Sequence, residues 1–161
     1  MKQIVLITDG ACIGNPGPGG WACILRYVDR FAVTQSKDRV RELSGAAAAT
    51  TNNRMELQAV IEGLKALNEP CAVVIRTDSR YVQDGMTKWI HNWKRNGWVR
   101  KENGKPGTVP IKNRELWEEL DRLHQLHEIR WQWVKGHAAD EDNNRCDLLA
   151  NQAARRNGHS A

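Results

Sequence analysis

Apolar and polar positions follow two different periods along this chain, and the changes of period mark out its elements. Residues 3 to 8 form a β-prone apolar run that ends at Asp9-Gly10. The following Gly14-Asn15-Pro16-Gly17-Pro18-Gly19-Gly20 is dense in turn residues, which predicts strand, turn, strand. A second run from Trp21 to Val28, a short one from Arg30 to Val33, the polar Gln35-Ser36-Lys37-Asp38 and a third run from Arg39 to Ala48 predict a hairpin. Val40 and Leu43 break strict alternation, so the pattern does not set its register. From Thr51-Asn52-Asn53 the period becomes helical, with Met55, Ala59, Ile61, Leu64 and Leu67 recurring mostly at spacings of three and four until Asn68-Glu69-Pro70 stops it. Cys71 to Thr77 is a near-continuous apolar strand, the kind buried on both faces inside a sheet, and it ends at Asp78. Asp78-Ser79 predicts the cap of a short helix running to about Met86, Lys88 to Asn96 reads as another, and Gly97 to Gly107 as a loop. Asn113 to His127 is a further helix with Leu116, Leu120 and Leu123 on one side, Ile129 to Val134 alternates as a strand, and a last helix runs from about Asn143 to Arg156. The order β-β-β-α-β-α-α-α-β-α predicts one mixed sheet with helices against it, an α/β or α+β fold.

Composition narrows the class. With 161 residues, 40% hydrophobic and 27% charged, the chain fits one folded domain spanning residues 1–161 and not a disordered or collagen-like one. No run approaches the roughly 18 consecutive apolar residues of a membrane helix, and Met1-Lys2-Gln3 before Ile4-Val5-Leu6-Ile7 is too short for a signal peptide; the expected location is the cytoplasm. Cys12, Cys23, Cys71 and Cys146 lie far apart without a CxxC pair, so neither zinc nor disulfides are signalled.

Charge changes the picture more. The 24 Lys and Arg against 19 Asp and Glu leave a net +5, and Lys88 to Lys105 alone holds six basic residues (Lys88, Lys94, Arg95, Arg100, Lys101, Lys105) against Glu102. All of the excess therefore sits in this one stretch, a helix followed by a loop, which points to a polyanionic partner.

Four carboxylates have ordinary explanations when taken singly. Asp9-Gly10 reads as a turn, Asp78 as a helix cap, and Asn53 to Glu56 and Asn144 to Asp147 as capping-box spacings. Taken together, strand ends and helix starts can meet at one edge of a sheet, where several carboxylates need compensating cations. Oxygen ligands of this kind suit Mg²⁺, with Mn²⁺ as a substitute, and four acids suit two ions sharing ligands, an arrangement fit for phosphodiester cleavage. Spacing alone leaves both readings open.

Seven ordered segments then carry a resemblance: Thr8-Asp9-Gly10, Gly14 to Gly20, Thr51-Asn52-Asn53-Arg54-Met55-Glu56-Leu57, Thr77-Asp78-Ser79, Trp89-Ile90-His91-Asn92-Trp93, Trp133-Val134-Lys135-Gly136-His137-Ala138, and Asn144-Arg145-Cys146-Asp147. Through them the chain resembles the type 1 ribonuclease H family, single-domain bacterial members in particular, over nearly its whole length. The resemblance implies a five-stranded mixed sheet flanked by helices with a protruding basic helix and loop. It implies an endoribonuclease that hydrolyses the RNA strand of RNA/DNA hybrids by a two-metal-ion mechanism, leaving 5′-phosphate and 3′-hydroxyl ends. Asp9, Glu56, Asp78 and Asp147 match the family's metal-binding acids, and His137 matches its histidine of proton transfer and product release. No separate hybrid-binding domain is expected, and a monomer is the default.

For substrate handling, Trp89 and Trp93 lie one helical turn apart with Lys94 and Arg95 beside them and Trp98 beyond, a pattern able to follow a sugar-phosphate backbone or to pack the protrusion. The resemblance places there the grip on the DNA strand. Cys12, Asn15, Asn52, Asn53 and Glu56 are candidates for reading 2′-hydroxyls, and Thr51 for a DNA phosphate. Three departures from the family pattern stand out: Ala11 where many members have Ser or Thr, Arg80 in place of a frequent Gln, and Ala49 where a basic residue often helps hold a phosphate. The hairpin between Tyr27 and Thr51 is also longer than usual. The alternatives are a non-catalytic nucleic-acid-binding module of the same fold, or a nuclease of that fold acting on DNA or double-stranded RNA.

Overall fold

The first three strands, β1 (Lys2–Cys12), β2 (Gly17–Val28) and β3 (Arg39–Thr50), pair antiparallel in sequence order. A helix, α1 (Asn52–Lys65), then carries the chain back so that β4 (Cys71–Thr77) lies parallel to β1. Two short helices, α2 (Arg80–Asp84) and α3 (Ile90–Arg95), are joined by a π turn over Gly85–Trp89. A small hairpin of β5 (Val99–Lys101) and β6 (Thr108–Pro110) follows, then α4 (Arg114–His124), β7 (Glu128–Trp133) parallel to β4, and α5 (Glu141–His159). The five-stranded sheet has the order β3-β2-β1-β4-β7, the mixed sheet expected from the sequence. This computed structural model describes residues 1–28, 39–134 and 140–159.

The two faces of the sheet have separate cores. Ile4, Leu6, Cys23, Leu25, Val73 and Ile75 meet Leu57, Val60, Ile61 and Leu64 of α1 and Trp117, Leu120 and Leu123 of α4 on one face. Ile7, Ala22 and Ile24 meet Cys146 and Ala150 of α5 on the other. Each fully buried large side chain of this kind contributes about 1.5–3 kcal/mol of transfer free energy.

Several elements depart from the pattern-based expectation. β1 runs through Asp9-Gly10 to Cys12, because Asp9, Gly10, Ala11 and Cys12 keep their partners Ala22, Trp21, Gly20 and Gly19 on β2. β4 buries Cys71, Val73, Ile75 and Thr77 fully but Ala72, Val74 and Arg76 only partly, so its two faces are unequal. The segment read as a loop from Gly97 to Gly107 contains β5, too short to show a period. Trp117, absent from the expected apolar face of its helix, is fully buried.

α5 begins before Asn143 because Asp140 Oδ1 accepts from the Asp142 and Asn143 N–H groups at 3.0 and 3.3 Å. Its start is fastened to the sheet by paired hydrogen bonds from Arg26 to Asp142 (3.0 and 2.7 Å) and from Arg145 to Glu42 (2.8 and 3.1 Å). Planar guanidinium and carboxylate groups matched in this way fix orientation as well as distance. Further along, α5 lies so close to β2 that a Cβ on Gly20 would stand 2.3 Å from Ala150 O and 2.5 Å from Ala154 N. Backbone on the receiving side cannot rotate away. Gly20→Ala is therefore expected to lower stability by about 1–3 kcal/mol in urea unfolding, whereas an Ala at exposed Gly104 (φ 79°, open space) is strained only by its backbone.

Candidate active site

The site grows from the parallel pairing of β1 and β4. Ile7 lies opposite Arg76, and continuing the register by two residues brings Asp9 level with Asp78 at the carboxyl end of β4. Gly10 then admits α1: a Cβ on Gly10 would meet Glu56 N at 2.5 Å and Met55 C at 2.7 Å, so the absence of a side chain lets Glu56 reach Asp9. One carboxylate oxygen from each of Asp9, Glu56 and Asp78 lies within 4.8 Å of the other two.

Asp147 arrives from the opposite face. The neighbouring Cys146 thiol donates to Ala22 O at 3.2 Å, and Ala22 is the β2 partner of Asp9. The docked helix turn brings Asp147 close enough to Asp9 to oppose its ionisation. Asp147 is itself exposed, and its Oδ1 accepts from Asn151 Nδ2 at 3.2 Å.

The capping and turn explanations of these acids do not survive. Asp9 is inside a strand. The cap of α1 is Thr51, whose Oγ1 accepts from Arg54 N at 3.3 Å, which leaves Glu56 outside any capping box. The cap of α2 is Ser79, which accepts from Val82 N at 3.2 Å, so Asp78 is not needed there. Asp147 lies beyond the first turn of α5, whose amides Asp140 takes.

Burial and mutual repulsion oppose ionisation. Asp9 is pushed up to about 8, first by burial, then by Asp78 and by the contact with Asp147, with only the Gly10 N–H (2.9 Å) working the other way. Glu56 is raised well above the ordinary carboxylate range by burial and then by Asp9 and Asp78. Its Oε2 is buried with no hydrogen-bond partner among the described residues. An orphaned buried carboxylate oxygen beside two further carboxylates is what a cation would satisfy, and an all-oxygen donor set fits a hard divalent ion.

The substrate candidates divide. Around the acids, Asn15 Oδ1 accepts from Asn52 N at 3.0 Å, half-exposed Cys12 donates to Thr50 O at 3.4 Å, and Thr51, Asn52 and Asn53 open α1. Ala49 is exposed beside buried Thr50 at the end of β3. Arg80 stacks over Trp133, 5.6 Å from its ring centroid, and Trp133 Nε1 donates to Asp78 O at 3.2 Å. In the protrusion, Trp93 is half-buried, with its ring 5.0 Å from Trp117, 5.9 Å from Trp89 and 6.5 Å from Trp98. Trp98 (φ 63°) ties its N–H to Trp93 O at 2.7 Å, and Lys94 pairs with Asp121 at 3.3 Å. Trp89, 40% exposed, and exposed Arg95 present the outward surface. His137 lies outside the described residues.

A family model described as RNase H matches residues 1–155. The chain belongs to the ribonuclease H family. A ribonuclease H of Solibacter usitatus is 50% identical over 160 residues, covering 99% of this chain and 100% of that protein. The crystal structure of LC9-RNase H1, described as a type 1 RNase H with the type 2 active-site motif, superposes with a TM-score of 0.84 at 34% identity, over 98% of this chain and 74% of that one. LC11-RNase H1, solved in complex with an RNA/DNA hybrid, shares the fold at 23% identity (TM-score 0.63, 95% of this chain and 97% of that one). The ribonuclease H sheet thus supplies the acidic cluster with its scaffold.

Sequence reasoning missed Trp133 as a neighbour of the acids, and it missed the link between Arg54, Asn113 and Tyr81. The signal was faint: an Asn just before a helix, where a residue able to adopt φ > 0 is useful.

The raised carboxyl group makes a linkage prediction. Asp9 titrates near 4 in the unfolded chain and at about 8 in the folded one, so its contribution to stability is complete below the unfolded value and is lost as pH rises through the folded one. Metal-free Asp9→Asn is therefore expected to melt several degrees above the metal-free wild type at about pH 8, a gap that closes toward about pH 4. A divalent cation should raise the wild-type Tm at the higher pH and leave that of Asp9→Asn nearly unmoved. Thermal melts at both pH values, with and without chelator, check this.

Proposed function

We propose that the chain is a Mg²⁺-dependent endoribonuclease that cuts the RNA strand of RNA/DNA hybrids, with Asp9, Glu56, Asp78 and Asp147 as its metal-holding acids. The observation that carries this reading is the meeting of Asp9, Glu56 and Asp78 within 4.8 Å in a member of the ribonuclease H family. Two Mg²⁺ ions, or Mn²⁺ in their place, would supply activation of the attacking water and stabilisation of the leaving 3′-oxygen. The protein's part is to hold Asp9 and Glu56 where burial and the neighbouring acids oppose their ionisation. Buried Glu56 and Asp9 form the fixed floor, and exposed Asp147 closes the site from α5.

Cys12, Asn15, Asn52 and Asn53 surround the acids and are assigned to the RNA strand, with its 2′-hydroxyls as the feature read. Thr51 is assigned to a DNA phosphate, Arg80 to the backbone near the cut, and Trp89 and Arg95 to the DNA strand, with Trp93, Lys94 and Trp98 shaping that surface from behind. His137 is assigned proton transfer and product release, a role suited to a side chain that titrates near neutrality. The reading treats residues 1–161 as one catalytic domain acting as a monomer. Four free cysteines support a reducing compartment, the cytoplasm, and no helix of the described residues is long and apolar enough to cross a membrane.

Purified protein and Asp78→Asn, each incubated with end-labelled RNA in a hybrid, an RNA duplex and a DNA duplex, test the reading. Cutting of hybrid only, by wild type only, and with Mg²⁺ but not EDTA is expected. Binding without cutting in Mg²⁺ or Mn²⁺ would make the protein a binding module.

Ala49 gives a second prediction. Ala49→Arg adds a cation at the edge of β3 beside the start of α1, and is expected to tighten hybrid binding several-fold at low salt. The slope of log K against log [salt] should steepen by about 0.9 for one added phosphate contact. Affinity unchanged at every salt concentration would remove this edge from the substrate path.

A further inference from the structure

One polar link joins the acid-bearing helix to the aromatic protrusion. Asn113, between β6 and α4, has a left-handed backbone (φ 61°, ψ 31°) that only a few residue types tolerate, and its side chain makes no cap bond to α4. Instead Asn113 Oδ1 accepts from Arg54 Nη1 at 3.1 Å, and Nδ2 donates to Tyr81 Oη at 3.0 Å. Arg54 lies two residues before Glu56 and is also paired with Glu115 at 2.6 Å. The Tyr81 hydroxyl takes a second bond, from Trp117 Nε1 at 3.0 Å. The Tyr81 ring lies 6.1 Å from Trp89 and 5.2 Å from Trp117, and Trp117 lies 5.0 Å from Trp93. A continuous set of contacts thus runs from the turn of α1 that carries Glu56, through one amide side chain, to the exposed tryptophan of the protrusion.

We propose that Asn113 is a positioning residue which, through Arg54 and Tyr81, sets the placement of the protrusion relative to the acids, so that the strand held at Trp89 and the strand cut at Glu56 are kept in register. Both of its bonds are specific in direction: a guanidinium can only donate, and a phenol oxygen that accepts twice is held in one orientation. A hydrophobic contact at this place would join the elements without fixing their angle. The unfavourable backbone of Asn113 is what turns its amide toward both partners, in place of the cap role open to it at the start of α4. The proposal rests on the hybrid-cleaving reading given above.

Its signature is a dependence on substrate length. A hybrid reaching only the acids should be blind to Asn113, whereas one long enough to reach Trp89 should gain from correct placement. Asn113→Gly keeps the left-handed backbone at ease and removes both side-chain bonds, so a folded protein is expected. Tyr81→Phe keeps the ring packing and removes the hydroxyl. Each should leave kcat/KM on the short hybrid unchanged and lower it by about 10- to 100-fold on the long one, the scale of a small misplacement of bound substrate. Asn113→Asp should restore the long-hybrid value, since its carboxylate can accept from both Arg54 and the Tyr81 hydroxyl. Equal losses on both lengths, with Tm lowered, would make the link purely structural and overturn the proposal. Equal activity of all forms on the long hybrid would also overturn it. Failure of the wild type to cut either hybrid would instead refute the underlying activity.

Discussion

Carboxylates crowded within 4.8 Å of one another repel, and the arrangement around them is what keeps them together. Two unit charges about 4 Å apart at an effective dielectric constant of about 20 repel by roughly 4 kcal/mol. A flexible segment would relieve this by moving. Here Asp9 is held inside a paired strand, Asp78 directly follows β4, and Glu56 sits in a helix pressed against Gly10. The repulsion appears instead as carboxyl pKa values raised at Asp9 and Glu56. Burial in the two cores is what sustains this arrangement.

The second feature that depends on this is the division of charge. Acids gather where parallel strands end, and the net +5 gathers in the Lys88–Lys105 segment, which lies outside the five-stranded sheet in α3, β5 and their flanking turns. A polyanion lying across both would meet attraction at the basic segment and repulsion at the acids unless cations neutralised them. Inside the protrusion the aromatic residues take different tasks. Trp93 and Trp98 build its interior against Trp117, while Trp89 stays on the surface. Lys94 is tied to Asp121, which anchors α3 to α4, and Lys88 to Asp84, while Arg95 is exposed.

α5 shows how the same residues serve stability and site geometry. Asp140 caps it, Arg26 and Arg145 clamp its first turns to β2 and β3, and Cys146 seats it over Ala22. These contacts all lie in the turns leading up to Asp147, the one acid of the four that is exposed. Its position is therefore defined by its neighbours' packing and pairing, not by burial of its own side chain.

How much of this was legible in the chain varies with the range of the interaction involved. The apolar periods of 3–8, 55–67 and 71–77 placed β1, α1 and β4, because burying one face of a helix or strand is a local demand on sequence. The motif residues named the acids, and the charge count located the protrusion. Local pattern could not show that β1 continues through Asp9-Gly10, since a glycine reads as a turn until a partner strand and an approaching helix require it. It could not decide between cap and ligand for Glu56, Asp78 and Asp147, because one spacing serves both; only the structure, with Thr51, Ser79 and Asp140 filling the cap positions, freed the acids from that role. Nor could it reveal Asn113 joining Arg54 to Tyr81 across 59 and 32 residues of chain. The sequence by itself determined which residue types were available and which local elements they form. Only the tertiary structure decided which of them meet, because hydrogen bonds, close backbone approach and charge repulsion act over a few ångströms of space and leave no period in the chain.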